Sequence, residues 1–265
     1  MSSPKVALIT AASTGLGAAI ARTLVIELGM SVVINYHRNT DRAAKLVQEL
    51  QDDCGVRYAK SGAPVPVVKM IQADVGEKSD VYRLVEKAAE EFDGRLDVVI
   101  SNVGWTRMRN FSDLEDGLDE EDWDRCFAAN VKSHLWLFHA AKKYLEESNQ
   151  RERGAAVFVS TASVAGVKPS GSSLSYAVTK AALIHLVKSL ATISAPSIRV
   201  NCVSPGILLT EWGLSFPEER LNAAIKANKL ERFATVEDVA EQVKTFVVSK
   251  SATGQNAIID SGFSL

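Results

Sequence analysis

Lys5-Val-Ala-Leu-Ile-Thr10, the turn Ala11-Ala12-Ser13-Thr14-Gly15-Leu16-Gly17 and the run Ser31-Val-Val-Ile-Asn-Tyr36 decide the fold of this chain. The first is a short, continuous apolar run, the pattern of a strand covered on both faces. The turn carries two glycines and leads into a helix from Ala18 to Leu28, which Gly29 stops at C′. The third stretch reads as a second strand. Strand, glycine turn, helix and strand within about 30 residues make a βαβ unit. Its helix N-terminus offers free N–H groups and the positive end of a dipole to a phosphate.

The alternation continues outward from this unit. Asp41 to Leu50 reads as helix, Val67 to Ile71 as strand, Glu77 to Phe92 as helix and Leu96 to Ile100 as strand. A long helix is expected from Asp119 to Glu147, with Asp119 and Asp122 suited to its start. Ala155 to Ser160, Ile198 to Val203 and Asn256 to Ile259 read as strands, separated by helices from Leu174 to Ser194 and Val236 to Ser249. Seven strands alternating with helices imply an α/β fold with one mostly parallel, doubly wound sheet. No break in composition divides residues 1–265, so a single domain is expected. Gln51 to Pro66, with its glycines and prolines, reads as an exposed loop. Ile207 to Leu230 follows a strand end, where ligands bind in such sheets, and is the candidate for a lobe that covers a substrate.

Composition excludes several classes of function. A net charge of -2 with scattered basic residues gives no electrostatic case for nucleic acid or a membrane surface. The N-terminus lacks the pattern of a signal peptide and no apolar run reads as long enough to span a bilayer, so a cytoplasmic location is expected. Cys54, Cys126 and Cys202 are far apart and have no metal-ligand spacing. They are expected to be reduced and mostly buried, with no metal site.

A second stretch carries chemistry. Ser163-Val164-Ala165-Gly166 follows a strand, and Ser175-Tyr176-Ala177-Val178-Thr179-Lys180 opens a helix. Tyr176 and Lys180 are four apart and leave the same helix face. With Ser163 they form the layout of a proton donor, its tuner and its orienter. The bland alternative is a serine-rich loop followed by a buried helix. Asp74 and the run Ser101-Asn102-Val103-Gly104 stand at the carboxyl ends of the third and fourth strands, where a nucleotide would lie. Asn130 falls on the helix face marked by Trp123, Phe127, Val131 and Leu135, so its amide needs a partner such as a backbone carbonyl or water. His134, His139 and His185 sit in helical runs and read as satisfied helix residues, whereas Trp105, Met108 and Arg109 are candidates to border a pocket.

These residues resemble those of the short-chain dehydrogenase/reductase family from about Lys5 to Phe263. Thr10 to Gly17 is similar to the family's Thr-Gly-x-x-x-Gly-x-Gly turn, Asn102 and Gly104 to its Asn-Asn-Ala-Gly, and Asn130 to its helix asparagine. Ser163, Tyr176 and Lys180 fall on its catalytic residues, and Ser204-Pro205-Gly206 on the Pro-Gly after its sixth strand. Ala11 departs from the family's first glycine and is acceptable only if φ stays negative. Ser261 replaces another glycine near the end.

The resemblance implies a Rossmann-like sheet of order 3-2-1-4-5-6-7 that binds a nicotinamide dinucleotide. Contacts are implied for Thr10, Ser13, Thr14, Gly15, Leu16, Gly17, Tyr36, His37, Arg38, Asp74, Val75, Asn102, Gly104, Tyr176, Lys180, Pro205, Gly206, Ile207 and Thr210. The second strand ends in Asn35-Tyr36-His37-Arg38, with no acid to repel a 2′-phosphate, so NADP(H) is expected over NAD(H). The implied roles are Tyr176 as general acid, Lys180 as the group lowering its pKa, Ser163 as the orienter of the substrate oxygen and Asn130 as part of a proton relay. A carbonyl reductase or alcohol dehydrogenase acting on a small molecule is expected, as a homodimer or homotetramer. A 3-oxoacyl-thioester reductase and a non-catalytic dinucleotide sensor are the alternatives.

Overall fold

Seven strands pair in parallel in the order β3-β2-β1-β4-β5-β6-β7. They are β1 (Val6–Ile9), β2 (Ser31–Tyr36), β3 (Val68–Gln72), β4 (Val98–Ser101), β5 (Val157–Thr161), β6 (Arg199–Pro205) and β7 (Asn256–Ile259). The structure is a computed structural model and describes residues 3–58 and 63–265. Strand alternation sends Val6 and Leu8 to one face of β1 and Ala7 and Ile9 to the other, and all four are buried. Three helices cover one face: α1 (Gly15–Ile26), α2 (Thr40–Tyr58) and α8 (Val236–Val248). On the other lie α3 (Lys78–Glu90), α5 (Ser133–Arg151) and α6 (Leu174–Ser194). Phe158 of β5 meets Phe138 of α5 edge to face, with centroids 5.3 Å apart. Such a pair adds about 0.5–1.5 kcal/mol to the burial itself.

Three expectations are corrected. The helix expected to end at Leu50 continues to Tyr58, because Leu46, Leu50 and Cys54 extend one buried stripe. Gly55 interrupts the pattern but sits in open space. Of the loop expected over Gln51 to Pro66, the first part is therefore helix, and residues 59–62 lie outside the described residues. The helix expected to run unbroken from Asp119 is divided into α4 (Glu120–Phe127), a wide π turn (Ala128–Lys132) and α5. The Asp119 side chain caps α4 by accepting from the Asp122 N–H, as the sequence predicts. Finally, α6 is long and apolar enough to cross a bilayer, contrary to the sequence reading. Here its apolar side, including Leu183, Val187 and Leu190, is spent on the sheet.

Because β1 lies between β2 and β4, the chain changes sides of the sheet there and leaves a crevice beyond the carboxyl ends of those strands. The glycine turn borders that crevice, and Ala11 within it has φ of 48°, which overturns the expectation of a negative value. An L-residue there costs about 1–2 kcal/mol. Neighbouring amides hold it. The Ala11 N–H donates to Asn35 Oδ1 (3.1 Å), the Ala12 N–H to the Asn35 carbonyl (2.9 Å), and Asn102 Nδ2 donates to the Ala11 carbonyl (3.3 Å).

Candidate active site

The crevice opens into a cavity of about 710 Å³. At one end it is lined by Thr14, Gly15, Leu16, Asn102 and Gly104, and at the other by Ser163, Tyr176 and Lys180. Pro205, Gly206, Ile207 and Thr210 line the wall between β6 and the segment that follows. The glycine turn fits a dinucleotide's phosphates. Thr14 makes no side-chain cap and the first turn of α1 holds no acid, so the leading N–H groups and the dipole stay available to an anion. Gly15 has φ of 55°, and a Cβ there would meet Thr210 Cγ2 at 3.1 Å. At Gly17 a Cβ would fall 2.6 Å from the Ala11 carbonyl oxygen, so glycine lets α1 pack on its own turn.

Several residues implied as nucleotide contacts support the site from behind it. Thr10 is fully buried, and its hydroxyl donates to the Ile100 carbonyl and accepts the Asn102 N–H. Gly17 is buried in the packing just described, and Val75 belongs to the core. Tyr36, His37, Arg38 and Asp74 gather at the ends of β2 and β3, away from the cavity lining, where His37 Nε2 lies 3.3 Å from Asp74 Oδ2. Arg38 is exposed. Arg42, which the sequence reading missed, joins this cationic corner and pairs with Glu211 (2.9 Å) across the crevice.

The chemical end is built by β5, β6 and α6. Ser163 follows β5, its hydroxyl accepts the Ala165 N–H (3.2 Å), and it acts on the neighbouring Tyr176 phenol by lowering its pKa. Ser173 caps α6 by accepting the Tyr176 N–H at 3.1 Å, which fixes where the helix starts and so where Tyr176 and Lys180 stand. Lys180 is buried; its ammonium lies 5.7 Å from the Tyr176 ring centroid and donates to the Thr161 carbonyl (2.8 Å). Burial lowers the Lys180 pKa to about 7. Burial also raises the phenol above its ordinary 10, and the Ser163 side chain offsets part of that rise. A protonated phenol aimed at a cavity is a proton donor.

Asn130 is wholly buried in the π turn, and it has found its partners. Its Oδ1 accepts the Trp105 N–H (2.7 Å), and its Nδ2 donates to the Trp105 carbonyl (2.9 Å) and to Thr179 Oγ1 (3.0 Å). The side chain therefore clamps the strand-4 loop to α6, with no direct bond to Tyr176 or Lys180. Gly104 lies between the two groups, since a Cβ there would be 3.3 Å from Lys180 Nζ and 3.6 Å from Asn130 Oδ1. Thr161 is a second residue missed. Its hydroxyl donates to Asn102 Oδ1 (2.9 Å), so a chain of hydrogen bonds runs from Lys180 through Thr161 and Asn102 to Ala11.

The expected pocket residues Trp105, Met108 and Arg109 do not line the cavity. Arg109 is instead tied to Asp116, Asp119 and Asp122. The lining comes from Ser170 to Ser172, from the 3₁₀ turn Gly213–Ser215 and α7 (Glu218–Ala227), and from Phe263. Of the helix histidines, His139 meets the Tyr82 hydroxyl (2.9 Å) and His185 is exposed. His134 is buried, with Nε2 at the Val103 carbonyl and Nδ1 without a partner among the described residues. Burial and the nearby Lys180 depress its pKa to about 3. All three cysteines are free and buried, and no metal-binding cluster occurs among the described residues.

The family model described as short chain dehydrogenase matches residues 5–220. The chain belongs to the short-chain dehydrogenases. A protein named as a ketoacyl reductase of the granaticin polyketide synthase of Streptomyces violaceoruber is 33% identical over 97% of this chain and 95% of its own. The 3-oxoacyl-[acyl-carrier-protein] reductase FabG of Staphylococcus aureus is 29% identical over 99% of each chain. Among solved structures, a short chain dehydrogenase from Burkholderia cenocepacia in complex with NADP superposes with a TM-score of 0.83, at 29% identity over 98% of each chain. As a short-chain dehydrogenase, the chain is an NAD(P)-dependent oxidoreductase acting on CH–OH and C=O groups.

Proposed function

We propose that the chain is an NADPH-dependent ketone reductase in which Tyr176 is the general acid. The observation that carries this reading is the protonated Tyr176 phenol, facing the cavity together with Ser163 and the buried Lys180. The nicotinamide, when bound, supplies the hydride. The protein must then place the carbonyl and deliver a proton to the oxygen as negative charge grows on it. Ser163 would donate to the substrate oxygen and hold it within reach of the phenol. Lys180, with one of its three N–H donors on Thr161, keeps two for the nucleotide ribose and for the phenolate that forms when Tyr176 gives up its proton. Asn130 is a positioning residue that fixes the loop carrying Gly104 against α6.

The preference for NADPH rests on the corner at the end of β2. Three side chains, His37, Arg38 and Arg42, bring basic groups there, and the strand ends without an acid. In this reading residues 1–265 work as one nucleotide-binding domain, and residues 207–230 form the lobe over the substrate. A 3-oxoacyl thioester is the second substrate class, favoured by the names of the two relatives and by the apolar cavity.

The test is Tyr176→Phe with a panel of ketones that includes an acyl thioester. The variant should lose at least about 10²-fold in kcat with NADPH while binding NADPH as the wild type does, and the wild type should bind NADPH at least tenfold more tightly than NADH. Retention of most of the rate removes Tyr176 from the chemistry, and equal binding of the two nucleotides removes the cofactor preference.

A further inference from the structure

Arg220 is the feature of the cavity that the proton chemistry does not use. It lies on α7 and lines the cavity among apolar groups that include Ile207, Leu208, Trp212, Phe216 and Phe233. Two other charged residues line that space. Lys180 belongs to the proton-transfer end, and Glu211 is paired with Arg42. No carboxylate of the described residues lies within ion-pair distance of Arg220. Its Nη2 donates to the Gly171 carbonyl (2.5 Å), and its guanidinium carbon lies 4.8 Å from the centroid of the Phe216 ring. A guanidinium has five N–H donors, and most of this fork is left without a protein acceptor.

Other arginines without a carboxylate are either exposed, as Arg38, Arg57, Arg125 and Arg153 are, or, like the buried Arg199, spend the fork on the carbonyls of Gly154, Phe246 and Val247. Arg22 takes Glu49 and Asp53, Arg42 takes Glu211, and Arg109 takes three aspartates, although all of these are closer to solvent or to loops. Glu218 and Glu219 stand two positions and one position before Arg220, but neighbours at such spacing leave a helix in different directions and do not face it. A cation held half-buried against apolar walls without a counter-ion is poorly solvated, and an anion that enters the cavity meets it at low dielectric.

The geometry points to Arg220 as the specificity-determining residue of the cavity, holding a carboxylate that the substrate carries a few atoms from the carbonyl to be reduced. This rests on the reductase reading. The spacing comes from Gly171, to which the fork is tied. Gly171 has φ of 111°, and a Cβ on it would lie 3.5 Å from Tyr176 Cδ1 and 2.9 Å from Ala165 Cβ. The guanidinium and the phenol therefore flank the same glycine, and a short chain can reach from one to the other. A carboxylate suits the site better than a phosphate. The planar fork matches two carboxylate oxygens, and a single positive charge balances a single negative one. Because Arg220 rides on α7, a carboxylate held by it also binds the lobe to the floor of the cavity.

The experiment uses oxo acids with one to four carbons between the ketone and the carboxylate, each beside its methyl ester. Wild type should reduce at least one acid with a kcat/KM tenfold or more above that of its ester. In Arg220→Gln this acid-to-ester ratio should fall close to one, and Arg220→Lys should keep part of it. The ratio is internal to each variant, so loss of folded protein cancels. Calorimetry of the same acids on nucleotide-free protein gives a second readout, with binding to wild type and none to Arg220→Gln. A ratio near one in wild type, or a preference that survives Arg220→Gln, overturns the proposal. If the acids bind through Arg220 but no ketone is turned over, the carboxylate site stands and the reductase reading falls. If ketones are reduced without regard to the carboxylate and no acid binds, the site falls and the reductase reading stands.

Discussion

A lysine buried with no carboxylate beside it sets the energetics of this site at the scale of single residues. Lys180 is 2% exposed and its pKa is lowered to about 7 by burial, whereas in the unfolded chain it titrates near 10.5. Below pH 7 both states hold the proton, and the folded protein bears the full desolvation cost. Between pH 7 and about 10.5 the unfolded state alone retains the proton, so this part of the stability improves as pH rises. Lys180→Met should therefore raise the melting temperature of the nucleotide-free protein by several degrees at pH 6–7, with the advantage shrinking toward pH 10, while reductase activity is lost. Scanning calorimetry of both proteins across that pH range checks it, and equal melting temperatures at pH 6 would sink it. His134 acts at the other end of the scale. With its pKa at about 3, its stability is present above the ordinary histidine range and is lost as pH falls toward 3. In the proposed mechanism, so costly a cation beside the phenol trades stability for chemistry.

The turn between β1 and α1 shows what holds at the scale of an element. Its shape is held by Asn35 and Asn102, which bond both sides of Ala11 and keep it at positive φ. Glycine at this position would remove about 1–2 kcal/mol of strain and lose about 0.5–1 kcal/mol to the freedom of the unfolded chain. Ala11→Gly is thus expected to be neutral or to stabilise by up to about 1.5 kcal/mol, against the usual trend of point mutations. Ala11→Val, β-branched, should cost about 2 kcal/mol. Denaturant midpoints measure both, and a clear loss in the glycine variant would show that the Cβ is packed rather than strained. The departure from glycine was legible in the sequence, but its backbone sign was not, because side chains distant in sequence impose it. The same division runs through the chain. Buried strands and the Tyr176–Lys180 spacing are local patterns and could be read directly. The end of α2 was obscured by Gly55 and by Val56, which points to solvent. The π turn adds a single residue, which an apolar stripe absorbs without a trace. That Asn130 needs a partner follows from its type, but that the partner is Trp105 depends on how the loop after β4 meets the π turn.

Across the whole molecule, stability is unevenly shared between the sheet and the lobe after β6. Both faces of β1, β4 and the first part of β5 are buried under helices, so their amides exchange only when the core opens. By contrast α7 has no buried residue, and Leu209, Trp212 and Leu214 around it are exposed. The ties of this lobe to the rest of the molecule are few. Arg220 bonds Gly171, the Trp212 ring stands edge-on to Tyr176 with centroids 5.6 Å apart, and Glu211 reaches Arg42 in an exposed ion pair worth at most about 1 kcal/mol. Such a segment opens at low cost, as the proposed covering lobe would need to in order to admit a substrate and then exclude water around Tyr176. Hydrogen exchange should find the amides of α7 exchanging at least 10³-fold faster than those of β4 and β5 in the free protein. NADPH together with a bound carboxylate ligand should slow α7 while leaving the strands unchanged, since only the lobe gains contacts. Protection of α7 equal to that of β5 in the free protein would mean that the lobe is part of the rigid core, and entry to the cavity would then have to come from the side of Ser170 to Ser172.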